Sequence, residues 1–498
     1  MMERYVIAHD LGTSGNKATL FTLEGDIVKS EVAGYEAHFF NGSWAEQSPH
    51  EWWKAVCGAT RRLLSGIDPE AVTAVSFSGQ MMGCLCVDKN GIPLMDSIIW
   101  ADMRAEKQEA ELAEHIDPKR LYRLAGHRLS RSYSLEKLMW VRDNRPEIYE
   151  KTYKMLNAKD YIVFKLTGEY MTDYSDASGT NALELDTLKW SDEILDAAGI
   201  DKSILPALYP STEIAGTVTE RVSAECGLAP GTKVVLGGGD GSCASVGAGS
   251  IAEGITYNCL GSSSWISTCS RKACYDEEMR TVTWAHVVPG LLIPSGTMQT
   301  AGAAFAWAKE RLCGADISYQ ELNRMIERSV PGANALLFLP YLLGERCPRW
   351  NSEARGAFVG LKMEHTVGDM MRSVVEGIAM NLKLILDILK NAVDIDEMIV
   401  IGGFAQGKIQ RKILSDIYGM DIIRLRHLEE ATSIGAAVIA GVGTGELSGF
   451  EAAERFNARA EKTCPNIKYT DFYERLGALF ELAYDGQKEV FSKLQMFE

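Results

Sequence analysis

"YVIAHDLGTSGNKATLFTLEGDIVKSEV", residues 5–32, is the stretch on which the fold turns. It reads as a strand, a glycine-containing turn, a second strand, the turn Glu24-Gly25-Asp26 and a third strand. A helix follows. In "SPHEWWKAVCGATRRLLSG" (48–66), Ser48 offers an N-cap, Pro49 takes the first helical position, Glu51 closes a capping box and Gly66 stands just past the end. "AVTAVSFSGQ" (71–80) is then a buried strand that ends in small and polar residues. Strands return near 234–258, and a long helical pattern at 368–392, the strand "MIVIGG" (398–403) and a helix from about residue 408 come later. Strands alternating with helices predict an α/β fold, with mixed sheets covered on both faces.

The second half repeats the plan of the first. "ITYNCLGSSSWIST" (255–268) is again a strand, a turn of glycine and hydroxyl residues and a second strand, as in "DLGTSGNKATLF" (10–21). Turns such as Gly12-Thr13-Ser14 and Gly261-Ser262-Ser263 expose backbone N–H groups and hydroxyls with no bulky side chain in the way, which suits phosphate oxygens. Either turn alone is also ordinary hairpin chemistry. Two of them, one per half, predict a grip on a polyphosphate from both sides, and Asp10 just before the first turn is placed to hold the Mg²⁺ that accompanies a nucleotide. "VVLGGGDGSCASVGAGS" (234–250) sets Asp240 behind three glycines at the end of an apolar run. That aspartate either caps a helix or acts as a base where a ligand comes close to the backbone.

Composition bounds the rest. The 498 residues suffice for two or three domains, and 46% hydrophobic with 24% charged residues is ordinary for a globular protein. The longest apolar runs fall far short of a membrane span, and the chain opens directly into a strand pattern rather than a signal segment. Eleven cysteines are scattered with no C-x-x-C pair, which argues against structural zinc and a redox centre and for reduced thiols in the cytoplasm. The formal net charge of -16 argues against nucleic acid or an anionic membrane as partner. No linker separates the parts; the expected seam is the small-residue stretch 247–253, dividing the chain into 1–247 and 248–498.

These motifs carry a resemblance. Over roughly residues 4–445 the chain resembles the FGGY family of carbohydrate kinases, and within it is most similar to the xylulokinases. "DLGTSGNKATLF" resembles the family's first phosphate loop, including Lys17. "SYSLEKLMWVRDN" (132–144) fits one family signature through Ser134, Lys137 and Trp140, and "GAFVGLKMEHTVGDMMRSVVE" (356–376) fits the other through Gly360, Asp369, Ser373 and Glu376. "GGGDGSCASVG" (237–247) stands where these kinases keep a catalytic aspartate, and "FLPYLLGERCPRWNSEARG" (338–356) is similar to a xylulokinase segment.

The resemblance implies two related domains of the actin/hexokinase/Hsp70-like (ribonuclease H-like) ATPase plan with the active site in the cleft between them. It implies ATP and Mg²⁺ as cofactors, Asp240 as the base that accepts a sugar hydroxyl's proton, and Asp10 with Asp240 at the metal. Gly12, Thr13, Ser14, Lys17, Gly261, Ser262 and Ser263 would face the phosphates, and Gly302, Gly403, Ala405 and Gln406 the rest of the nucleotide. Gln80, Met81, Met82, Trp100, Asp102 and Arg104 would join Asp240 around the sugar, at strand ends where α/β folds bind ligands. The expected substrate is a pentulose such as D-xylulose, phosphorylated on a terminal hydroxyl. Xylulokinases usually carry His where Met82 and Arg349 stand, which keeps another ketose, an aldonate or a polyol open. A non-catalytic actin-like ATPase switch and a sugar-sensing regulator are the readings from other classes; no basic helix-turn-helix pattern supports the regulator. An isologous homodimer is the base-rate expectation.

Overall fold

The computed structural model of the chain describes residues 3–314 and 316–497. The opening stretch forms the predicted meander, β1 (Tyr5–Leu11), β2 (Gly15–Thr22) and β3 (Ile27–Gly34), each strand antiparallel to the next. β1 is buried almost throughout, whereas β3 alternates half-buried with exposed residues because it is the sheet edge. Helix α1 (Pro49–Leu63) packs on β2 and β3 through Trp52, Val56 and Leu63. Its capping box does not form. No amide bonds to the Ser48 hydroxyl; the Glu51 and Trp52 amides bond to the Ser48 carbonyl instead, and Glu51 turns to Lys54.

The sheet is completed by β4 (Val72–Gly79), parallel to β1, with β5 (Ile214–Thr217), β6 (Lys233–Val235) and the short β7 (Gly238–Gly239). The order is β5-β6-β4-β1-β2-β3, with β7 also on β4. Much of the segment between β4 and β5 folds as a helical layer with its own core around Leu121, Leu138 and Ile194.

Helix α2 (Asp240–Gly247) leads into the second half, whose sheet contains β8 (Thr256–Leu260), β9 (Ser264–Thr268), β10 (Val282–Ala285) and β11 (Leu292–Met298). Helices α3 (Gly302–Ala308) and α4 (Val367–Lys390) follow, then β12 (Glu397–Ile401) and β13 (Asp421–Leu425). Helix α5 (Ala431–Thr444), β14 (Arg459–Thr463) and the 28-residue α6 (Ile467–Leu494) end the chain's regular structure. The strand order is β10-β11-β9-β8-β12-β13-β14. β8 pairs antiparallel with β9 and parallel with β12, as β1 does with β2 and β4. The echo in the sequence is thus a repeat of topology, giving a two-domain α/β architecture of the actin/hexokinase type.

One helix crosses between the halves. α5 packs on β1 and β4 of the first sheet and against α2, burying Ile434, Val438 and Ile439 with Val6 and Val246. A Cβ on Gly435 would overlap the Cys243 carbonyl oxygen, and one on Gly247 the Ala431 carbonyl oxygen, so the two helices meet backbone to backbone. The small-residue spacing in 429–445 therefore serves packing, as its sequence suggests. Among the described residues no helix is long and apolar enough to cross a membrane, and the eleven cysteines are all free thiols.

Candidate active site

The three glycines before Asp240 each have a physical reason. Gly237 adopts φ +74°, a left-handed conformation that side chains rarely tolerate, and this turns the chain off β6. A Cβ on Gly238 would crowd Ser175 and Val287 at 2.9 Å, and one on Gly239 would crowd Met81 Sδ at 2.5 Å. β7 can therefore lie flat on the end of β4 and present Asp240 at the first position of α2. Asp240 is not a helix cap: Gly239 occupies that position, and among the described residues the carboxylate accepts only the neighbouring Gly241 amide, at 2.7 Å. Its side chain is open to water at the mouth of the cleft while protein crowds it at longer range. Loss of solvation and then the nearby Asp10 charge push its pKa up to about 7, with the Gly241 hydrogen bond pulling the other way.

Asp10 is the last residue but one of β1, beside the first turn, one oxygen accepting from Ser78 Oγ and the other from Thr432 Oγ1 of α5, both at 2.8 Å. Burial raises its pKa too, against the pull of these hydroxyls. Among the described residues no group of three or more His, Cys, Asp or Glu could hold a metal ion. Two neighbouring carboxylates resisting ionisation are nonetheless the donor set that suits a cation also bound by phosphate oxygens and water. The turns beside them are open. The amides of Thr13, Ser14, Ser262 and Ser263 donate to no protein acceptor among the described residues. The first turn is braced from behind by Tyr35 Oη to the Gly12 carbonyl (2.6 Å), Gln47 Nε2 to the Thr13 carbonyl (2.5 Å) and Trp100 Nε1 to Thr13 Oγ1 (2.9 Å). The Lys17 ammonium is paired with Glu430, just before α5.

The sugar-side expectations divide. Met82 and Trp100 line a pocket between the halves, together with Met103, Tyr133, Arg280, Trp284, Gln299, Arg346 and Trp350. Met82 holds φ +62°, and its carbonyl accepts from Lys137 Nζ at 2.8 Å. Gln80 is buried, with its amide nitrogen donating to Gln47 and its Oε1 without a protein partner. Three of the expected residues are engaged elsewhere. Asp102 and Arg104 are buried and spent on each other through Arg104 Nε and Nη2. Arg104 also pairs with Glu46 at 2.7 Å and lies 3.9 Å from the Trp44 ring centroid, so neither has a free group for a sugar. Met81 is wedged beneath Gly239 and Gly179 and supports the aspartate strand.

On the nucleotide side Gly403 and Gln406 are exposed, with Gln406 Nε2 donating to Glu429 at 2.8 Å. Two expected residues are occupied otherwise. Ala405 is fully buried in the core of the second half, next to the edge-to-face pair Phe404 and Phe305. The Gly302 amide is consumed by the Gly261 carbonyl (3.0 Å), so Gly302 docks α3 under the second phosphate turn and offers no donor.

Several residues at the site had no role assigned from the sequence, although Lys137 stands in a family signature. Lys137 is fully buried and donates to the carbonyls of Met82, Ile99 and Ser132, tying three segments around the pocket; burial pushes its pKa down to about 7. Glu345 accepts the amides of Gln299 and Arg346 and is pushed up to about 8 by burial. Arg346 Nε is buried without a hydrogen-bond partner among the described residues. Both charges sit in the quoted motif "GERCPRW", but nothing in the motif says which cleft wall they meet.

Comparison with known proteins identifies the family. The family model for the N-terminal domain of FGGY carbohydrate kinases matches residues 5–247, and that for the C-terminal domain matches 256–444. A xylulose kinase from Staphylococcus xylosus is 32% identical over 97% of this chain and 100% of its own length. A gluconokinase from Bacillus subtilis (strain 168) is also 32% identical, over 91% of this chain and 90% of its own. The crystal structure of gluconate kinase from Lactobacillus acidophilus superposes with a TM-score of 0.93 at 28% identity, covering 99% of this chain and 100% of that one. With both family domains matched in order along the chain, this protein belongs to the FGGY family of carbohydrate kinases.

Proposed function

We propose that the protein transfers the γ-phosphoryl group of MgATP to a terminal hydroxyl of a small sugar, with Asp240 as general base. The observation that carries this reading is a carboxyl group poised near neutrality at the mouth of the cleft, beside a pair of glycine-hydroxyl turns with unused amides. A base with pKa near the working pH combines enough ionised form with enough basicity to take the hydroxyl proton as the oxygen attacks. The turns hold the phosphates by backbone donors, which an acidic chain needs, and Trp100 links the first turn to the sugar pocket. Mg²⁺ held by Asp10 and Asp240 together with the phosphates would neutralise their charge. Closure of the halves about the glycine contact of α2 and α5 would exclude water from the transfer.

For the substrate, a pentulose such as D-xylulose fits the pocket's mixture of aromatic faces and hydrogen-bonding groups. The unpartnered Arg346 guanidinium and the apolar Met82 favour a second reading, an aldonate such as D-gluconate, whose carboxylate an arginine binds well. An ADP-release assay over ketoses, aldonates and polyols, run beside Asp240→Asn, tests both. Substrate-dependent ADP release that disappears in the variant supports the kinase and its base, and the leading compound identifies the sugar. No release with any compound would overturn the reading.

A further inference from the structure

Behind the site lies a buried ionic cluster with no role in the chemistry so far described. Lys159 Nζ is fully buried and lies 2.6 Å from Asp160, 2.9 Å from Asp173 and 3.4 Å from Asp176. Burying three carboxylates around one ammonium is costly, and packed apolar residues would stabilise the fold as well or better. What distinguishes this cluster is where its remaining hydrogen bonds lead.

In one direction, the Asp173 carboxylate accepts the Ser175 hydroxyl and also Ser211 Oγ at 2.7 Å. Ser175 Oγ in turn accepts the Gly239 amide at 3.1 Å, one residue before Asp240. In the other direction, Asp176 Oδ1 accepts from Asn157 Nδ2 at 2.8 Å, and Asn157 Oδ1 accepts the Gly83 amide at 3.0 Å, one residue after Met82. The cluster also touches β4 between these two points, since a Cβ on Gly79 would come within 2.8 Å of Lys159 Cβ.

We propose that the Lys159 cluster is a positioning hub that sets the strand of the catalytic aspartate through Ser175 and the sugar-facing turn through Asn157. Each arm is a single side chain that joins the hub to one backbone amide beside the site. The hub therefore fixes the distance between base and sugar, which is what phosphoryl transfer demands. The inference rests on Asp240 being the base, and the two arms make different predictions. Losing the Ser175 arm misplaces the base after the sugar has bound, so kcat falls. Losing the Asn157 arm loosens the wall that the sugar meets on binding, so KM rises.

The test is steady-state kinetics with MgATP and the sugar that leads the panel, D-xylulose or D-gluconate, on Ser175→Ala, Asn157→Ala and Asp240→Asn, with melting temperatures alongside. Each arm is one hydrogen bond, so about a tenfold effect is expected. Ser175→Ala should lower kcat with sugar KM nearly unchanged, and Asn157→Ala should raise sugar KM with kcat nearly unchanged. A general loss of stability would move both parameters together or neither. If either variant fails to fold, Ser175→Cys and Asn157→Ser, which keep a polar atom in place, should move the same parameter in the same direction. Equal effects from both arms, or no effect in well-folded variants, would overturn the hub while an inactive Asp240→Asn leaves the base standing. An active Asp240→Asn would overturn the base itself.

Discussion

The acid limb of the pH–rate profile gives the sharpest access to the site. With the Asp240 pKa at about 7, the ionised fraction is about one half at pH 7 and about one hundredth at pH 5, so kcat/KM should fall about tenfold per unit below neutrality. An ordinary aspartate would leave that range flat. Lys137 also titrates near 7, so the limb alone does not identify its owner. Asp10→Asn separates them. The Asp10 charge is the second cause of the Asp240 shift after burial, and it is absent from the influences on Lys137. Removing it should slow the enzyme and move the limb of the residual activity to lower pH, only part of the way to an ordinary aspartate because desolvation persists. The assay is ADP release from pH 5 to 9 on the parent and on Asp10→Asn. A parent profile flat between pH 5.5 and 8, or a limb unmoved in the variant, would refute the assignment. The same shift has a signature in stability. A carboxyl raised above its unfolded value keeps its proton in the folded state while the unfolded chain has released it, so ionising Asp240 costs stability as the pH rises from about 4 to about 7. Asp240→Asn should therefore melt above the parent at pH 8, by a margin that closes towards pH 4.

Three further outcomes are expected. Trp100→Phe keeps an aromatic wall but loses the indole bond to Thr13, and should raise KM for sugar and ATP together, by up to about tenfold, in initial-rate measurements with each substrate varied. Met82→His places an imidazole on a backbone already at φ +62°, which histidine tolerates, and should raise kcat/KM for D-xylulose relative to D-gluconate by about fivefold or more in a competition assay. Gly435→Ala drives a methyl group into the Cys243 carbonyl and should cost about 2 kcal/mol or more, read as a lowered midpoint in urea unfolding.

Much of this molecule is legible along the chain because its signals are local. The meander of β1 to β3, the helix at Pro49 and the glycine turns follow from short apolar or alternating runs, a proline at a helix start and small residues at reversals, each a matter of a few neighbouring residues. The repeat of strand, glycine-hydroxyl turn and strand was visible as well, and it carried the two-domain plan. Asp240 and Asp10 stood out because each sits beside a glycine-rich reversal where a ligand can approach the backbone, although a helix cap or an ordinary hairpin would read the same way.

What only tertiary structure decided is which groups remain free. Asp102 and Arg104 look like a polar lining in "WADMRA", yet they neutralise each other in the core because Glu46, Trp44 and Trp140 come from elsewhere to enclose them. Gly302 and Ala405 sit in suitable turns, but a neighbouring turn takes the amide of one and the core of the second half buries the other. Arg346, Trp284 and Lys137 become pocket or positioning residues through contacts spanning 38 to more than 200 residues of sequence. A residue's type and its immediate neighbours determine what chemistry it can offer. Whether that chemistry is spent or available depends on partners brought by other strands, and no local pattern records them.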